Sequence, residues 1–277
     1  MNNYKYDYGL NNLVNQHVVI TGANGFIGSY LVKSLLKIGC KVTAIDLTNS
    51  IFKNDSISTK IFNKKNLLFH QANILDQKAL EECYLKSLPI FGEPDSLISC
   101  AAIDHKVSSE NSFNSGQLSS ISQESLNNEN AISINGTINL VNSFLKDTKA
   151  KKHKSIILFG SDLSIISPNQ TLYHEEFGPN NYKPVSYSTT KHAMVGLCRY
   201  LSTYFLNSYI RCNIICPSGI EQPQMPNTFK EKLISQSPMR RLCQLEDILG
   251  PTLFLLSEMS SFVNGLVLKV DGGKTVW

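Results

Sequence analysis

Three residues have types and spacing that suit proton transfer: Ser161, Tyr187 and Lys191. Tyr187-Ser188-Thr189-Thr190-Lys191 opens an amphipathic run. On a helix, positions four apart share one face, so phenol and ammonium lie together. A free tyrosine titrates near about 10, too high for a general base at neutrality. A neighbouring ammonium favours the phenolate. Bringing the value to about 7 takes roughly 4 kcal/mol. One close charge in a shielded site, with a second positive charge nearby, supplies that. The spacing alone arises often by chance, so its context matters. Ser161 follows the apolar run Ile156–Gly160. A hydroxyl at such a strand end can hydrogen-bond a reacting carbonyl or alcohol oxygen and help polarise it.

The context is a glycine-rich turn, Val18-Val19-Ile20-Thr21-Gly22-Ala23-Asn24-Gly25-Phe26-Ile27-Gly28, between an apolar strand pattern and a helical one. Gly22 permits the tight turn, Gly25 lets a pyrophosphate approach, and Gly28 lets helix and strand pack closely. The helix amino terminus offers N–H groups and positive potential to phosphates. Gly22, Asn24, Gly25, Phe26, Ile27 and Gly28 are therefore expected to hold a dinucleotide. The next strand ends at Asp46, 24 residues beyond Gly22. A carboxylate there accepts from the adenosine ribose hydroxyls and repels a 2′-phosphate. No Arg or Lys lies within Gly22–Ser29 to offset that repulsion, so NAD is expected over NADP.

The elements that position these groups follow from hydrophobic period. Strands are expected at His17–Thr21, Lys41–Asp46, Asn66–His70, Ser96–Cys100, Ser155–Phe159, Arg211–Cys216 and Leu266–Val270. Helices are expected at Phe26–Ile38, Asp76–Leu88, Asn130–Lys146, Ser186–Leu206 and Leu245–Ser257. Such alternation implies a mostly parallel, seven-stranded, doubly wound α/β sheet between two helical layers. Three polar segments break the rhythm and read as loops: Thr48–Lys65, Ser108–Asn128 and Ser164–Pro184. Long insertions near the carboxyl edge of a sheet are often substrate loops. With no internal repeat and no second boundary, residues 1–277 read as one domain.

Composition narrows the class. The chain has 277 residues, 42% hydrophobic and 17% charged, with a net charge of +4, which fits a globular protein with a sizeable core. The positive charge is spread out, with Lys151, Lys152 and Lys154 the only tight cluster, so no nucleic-acid partner is expected. The seven cysteines form no CxxC pair, and several sit in apolar strand runs. Reduced buried thiols fit this better than disulfides or a metal centre. The polar start Met1–Leu10 is unlike a signal peptide, and no apolar run reaches membrane-spanning length. A cytoplasmic protein is expected.

At this point the chain resembles the short-chain dehydrogenase/reductase family. The glycine turn, Gly160-Ser161, Tyr187/Lys191, Pro217-Ser218-Gly219 and the tail through Val270-Asp271-Gly272-Gly273 match in order, across roughly residues 13–275. The resemblance implies a Rossmann-type fold and hydride transfer at a nicotinamide C4, with Tyr187 as acid/base. It implies that Lys191 lowers the Tyr187 pKa and holds the nicotinamide ribose, that Ser161 orients the substrate oxygen, and that backbone after Pro217, around Gly219 and Ile220, meets the carboxamide. Asn73-Ile74 stands where the family contacts adenine, and Cys100-Ala101-Ala102 replaces its Asn-Ala-Gly. Ser133 stands at the proton-relay Asn, with Asn130 and Asn135 out of register. The glycine spacing is that of the extended, sugar-epimerase branch, but only 86 residues follow Lys191, too few for an extended substrate domain. The insertion Ile165–Pro184, the run Ala101–Lys106 and Lys183-Pro184-Val185 are similar to a subgroup of bacterial flagellin-glycan and surface-sugar (nonulosonic acid) enzymes. That implies a small sugar-like substrate, with His174, Glu175, Lys183, His105 and Lys106 as candidates to face it. A homodimer or homotetramer is implied. The alternatives are a 3-oxoacyl thioester or polyol substrate, a sugar epimerase, and a non-catalytic NAD-sensing protein.

Overall fold

The computed structural model describes residues 10–49, 64–103, 117–145, 153–206 and 209–277. Seven strands form one sheet: β1 (His17–Thr21), β2 (Lys41–Asp46), β3 (Leu67–Gln71), β4 (Ser96–Ser99), β5 (Lys154–Phe159), β6 (Ile210–Pro217) and β7 (Val267–Val270). Their order is β3-β2-β1-β4-β5-β6-β7, and every pairing is parallel. Chain order reverses between β1 and β4. Open α/β sheets bind ligands at the carboxyl ends of such a pair.

Alternation along each strand sends side chains into two cores. Val19, Leu97, Ile156 and Leu158 join one face; Val18, Ile20, Ile98 and Ile157 join the other. The first core is closed by α2 (Gln77–Phe91), α4 (Gly136–Leu145) and α6 (Val185–Tyr204), through Leu80, Phe144 and Met194. The second is closed by α1 (Phe26–Ile38) and α8 (Leu245–Leu256), through Leu31, Leu35 and Ile248. With both faces covered, the strands are apolar on both sides.

Three expectations need correction. The helix expected over Asn130–Lys146 is longer and interrupted. It begins as α3 (Gln123–Asn130), capped by Ser122 on the Ser125 N–H, inside the segment read as a loop. It passes through a π turn, Ala131–Asn135, before α4. The polar run Gln123-Glu124-Ser125-Leu126-Asn127-Asn128 lacks an apolar stripe, and its capping signal was the legible cue. Likewise Ser164–Pro184 is not structureless: α5 (Gln170–Phe177) lies within it, capped by Asn169. It packs on α7 (Asn227–Ser235), which periodicity also missed. Tyr173 and Phe177 meet Phe229, with ring centroids 5.6 and 5.7 Å apart. Lys232 pairs with Glu175 at 3.3 Å.

Candidate active site

The turn after β1 is built by close approach. Gly22 has φ +67°, and a Cβ there would lie 2.7 Å from the Ala101 backbone N. A Cβ on Gly28 would lie 2.1 Å from the Gly22 carbonyl oxygen, so strand end and helix α1 meet without room for a side chain. At Gly25 a Cβ would meet only that oxygen, at 3.1 Å, so the backbone is open on its other side. Gly25 is the N-cap of α1 and offers no side-chain cap, leaving first-turn N–H groups for a ligand. Asp46 steadies the turn. Its carboxylate accepts from the Asn24 N–H at 2.9 Å and the Thr48 N–H at 3.1 Å.

A cleft of about 950 Å³ runs from this turn over the strand ends. Gly22, Asn24, Gly25, Phe26, Ile27 and Gly28 line its head. Cys100 and Ala102 after β4 line its middle, as do Pro217, Gly219 and Ile220 after β6. Ser161, Tyr187 and Lys191 line the same cleft, 26 residues and a helix face apart in sequence but together in space. Burial pushes the Cys100 thiol up to about 12, so it stays neutral.

Tyr187 and Lys191 project from α6. The Lys191 Nζ donates to the Phe159 carbonyl at 3.2 Å and stands 5.6 Å from the Tyr187 ring centroid. A second ammonium, that of Lys183, lies 3.8 Å from the same centroid. Helix α3 holds α6 at the residue before each of Tyr187 and Lys191. The Ser186 hydroxyl donates to the buried Glu129 carboxylate at 2.5 Å, and the Thr190 hydroxyl donates to Asn130 at 3.0 Å.

Ser161 caps a short helical turn. Its hydroxyl donates to Asp162 Oδ1 at 2.7 Å and accepts from the Leu163 N–H at 3.2 Å. The other Asp162 oxygen accepts from Lys274 at 2.7 Å. This relay was missed from sequence: Asp162 adjoins Ser161, but Lys274 lies in the tail, after Gly273.

Four expected cofactor residues do not form the cleft wall: Asp46, Asn73, Ile74 and Ala101. Asp46 faces the turn. Asn73 accepts from the Leu75 N–H at 3.0 Å, closing a local turn. Ile74 is core: its Cδ1 lies 2.4 Å from where a Cβ on Gly136 would stand. Ala101 presses its backbone on Gly22. Ser133 is buried in the π turn, where its carbonyl accepts from the Thr137 hydroxyl at 2.6 Å; it too is absent from the wall. Among candidate substrate residues, Lys183 lines the cleft, whereas Glu175 pairs with Lys232 and His174 sits edge-on to Tyr182. His105 and Lys106 lie outside the described residues.

Comparison with known proteins agrees with this geometry. The family described as Enoyl-(Acyl carrier protein) reductase matches residues 22–275. An uncharacterized oxidoreductase of Haemophilus influenzae is 29% identical, over 95% of this chain and 94% of its own. A short chain dehydrogenase from Leptospira borgpetersenii, solved with bound NAD+, superposes with a TM-score of 0.80 at 28% identity, over 96% of this chain and 95% of that one. A putative D-mannonate oxidoreductase from Haemophilus influenzae, solved with bound NAD, gives 0.78 at 26% identity, over 96% and 97%. A match along nearly the whole chain, with the same fold throughout, leaves one conclusion: this chain belongs to the short-chain dehydrogenase/reductase family of oxidoreductases.

Proposed function

We propose that the protein catalyses NAD(H)-dependent interconversion of an alcohol and a carbonyl on a small sugar-like metabolite, with Tyr187 as acid/base. The observation that carries this reading is the convergence of Ser161, Tyr187 and Lys191 on the cleft headed by the glycine turn. The cradle fits a dinucleotide: Gly25 is open and the α1 N–H groups are uncapped. NAD, when bound, supplies the nicotinamide carbon that gives or takes hydride. The chain's own groups do the rest. Tyr187 takes or returns the proton at the substrate oxygen, and the ammonium groups beside its ring favour its anionic form. Ser161 orients that oxygen, and Lys191 holds the ribose near it.

The sugar-like class is supported by the polar wall of Asn169, Gln222 and Gln224, by the D-mannonate oxidoreductase relative, and by the sequence resemblance to surface-sugar enzymes. A second reading has its own observation. Leu172, Tyr173, Met225, Phe229 and Leu233 form an apolar side of the cleft, which suits an acyl thioester, as does the enoyl reductase description of the matching family. We place the protein in the cytoplasm as a homodimer or homotetramer, joined through the outer face of α6, where exposed Tyr200 and Tyr204 stack. No helix among the described residues is long and apolar enough to cross a membrane.

The test is NADH formation or loss with a panel of sugars, polyols and acetoacetyl thioesters. Turnover on sugars is expected, falling about a thousandfold in Tyr187→Phe while NAD still binds. Turnover on thioesters alone selects the second reading. NAD binding with no turnover on any member makes the protein a nucleotide sensor.

A further inference from the structure

Helix α7 walls the cleft with Phe229 and Leu233, and neither side chain belongs to the two cores of the sheet. They form a third, separate cluster with Leu172 and Tyr173 of α5. Something besides core packing must therefore fix α7 relative to the sheet. Residues two apart on a helix point to nearly opposite sides. Lys232 turns to α5, where it pairs with Glu175 at 3.3 Å and Glu176 at 3.7 Å. Lys230 turns the other way and pairs with Glu221.

Glu221 stands where the chain leaves the sheet. Gly219 and Ile220 line the cleft just before it, and Gln222 and Met225 line the cleft just after it. Its backbone is pinned: the Glu221 N–H donates to the Cys243 carbonyl at 2.9 Å, and the Cys243 N–H donates to the Gly219 carbonyl at 3.2 Å. Its carboxylate is a fork. Oε2 accepts from the side-chain amide of Gln244, the N-cap of α8, at 2.6 Å. Oε1 pairs with the Lys230 ammonium of α7. Helix α8 is rooted in the second core through Ile248 and Leu255. One carboxylate thus joins a fixed helix to the helix that walls the cleft. A half-buried ion pair adds little to global stability. Its weight falls on a local element, whose opening takes far less than global unfolding.

We propose that Glu221 is a positioning residue that latches α7 to the amino end of α8, so that the order of the α7 wall is linked to cofactor binding against Gly219 and Ile220. The linkage is reciprocal: cofactor that settles this backbone orders α7, and a loosened α7 weakens cofactor binding. It rests on placing the nicotinamide end of the cofactor at Gly219 and Ile220, and it needs no substrate.

The experiment is hydrogen exchange of the amides of residues 230–235, with and without NADH, together with NADH affinity by calorimetry. The proteins are wild type, Glu221→Gln, Glu221→Lys, Lys230→Glu and the double swap Glu221→Lys/Lys230→Glu. In wild type, NADH should slow exchange of those amides. Glu221→Lys and Lys230→Glu each set like charges together. Each should speed that exchange in the free protein, leave exchange in α1 unchanged, and weaken NADH binding at least about threefold, the scale of one such pair. The double swap should recover most of both. Glu221→Gln keeps an oxygen for Gln244 without the charge, and should fall between. Far-ultraviolet circular dichroism certifies the fold of each variant. Single variants that match wild type in exchange and affinity overturn the proposal. So does a swap that recovers neither, because the pair then carries no coupling. The two readings fail separately. Wild type that binds no NADH removes the oxidoreductase assignment and the linkage, while exchange in the free protein still decides the latch. Undiminished NADH binding by variants with a loosened α7 leaves the oxidoreductase assignment and overturns the linkage.

Discussion

Ser161 acts through a neighbour. With Lys274 beside it, the Asp162 carboxylate only accepts, so the Ser161 hydrogen points to Oδ1 at 2.7 Å. The rotor is held rather than spinning, and a lone pair remains for the substrate. Removing the ammonium leaves a buried carboxylate one partner short, which tightens its grip on the hydroxyl hydrogen. Lys274→Met should therefore lower kcat by about tenfold with little change in NAD affinity. Lys274→Arg should restore most of it. Steady-state kinetics on whichever panel member turns over is the measurement. A loss confined to thermal stability would mean the pair only anchors the tail. Cys100 illustrates the same scale: a thiol held near 12 by burial brings no charge to the cleft, so the departure from Asn leaves the electrostatics to the lysines.

At the level of elements, the proposed proton transfer requires that α6 be held in place. Ser186 and Thr190 flank Tyr187 and Lys191 one residue before each, and both bond to consecutive residues of α3. The π turn that follows Asn130 marks where this pairing is traded for packing by α4, as such turns often do near functional sites. Glu129→Ala leaves the Ser186 hydroxyl without its acceptor and should cost about 1–3 kcal/mol in urea unfolding, and lower kcat as well. Glu129→Gln keeps a carbonyl acceptor and should recover most of both. Asn130→Ala should cost less, since Asn130 is only half-buried whereas Glu129 is fully buried. The insertion also positions functional groups. Helix α5, tied to α7 by aromatic contact and the Lys232 pairs, forms one wall of the cleft with it, and the chain that follows it delivers Lys183.

Across the whole molecule, stability should depend on pH through the buried start of the sheet. His17 opens β1, fully buried, with Nδ1 donating to the Gly92 carbonyl at 2.9 Å and Nε2 accepting from Thr43 at 2.8 Å. Both bonds suit the neutral ring. Burial pushes its pKa below the ordinary 6.5, and His70 is depressed in the same way. The unfolded chain then binds protons before the folded one, so stability is full above about 6.5 and falls as pH drops toward the folded value. Melting temperature measured from neutral to mildly acidic pH should show this slope, and His17→Gln should flatten it. A slope unchanged in that variant would assign the effect to His70 and the carboxylates.

What could be read from the residues in order was local: the glycine turn, the bounds of β1, β2 and α1, and the Tyr187/Lys191 face of α6. Each depends on neighbours within a few positions, through a period of two or 3.6 and through glycine's conformational freedom. Helices α3, α5 and α7 were obscure because polar runs with weak periodicity are held by capping and by distant partners. Asn73 is taken up by a local turn with Leu75, and Ile74 by core packing against Gly136, neither of which the order of residues displays. The walls of the site were decided by packing. Asp162 and Lys274 meet across 112 residues, and Lys183 reaches Tyr187 only because Gln170 folds the insertion back on itself. A spacing names which groups can share a helix face; only the closed fold brings separate segments within hydrogen-bond reach, because that depends on every contact between them.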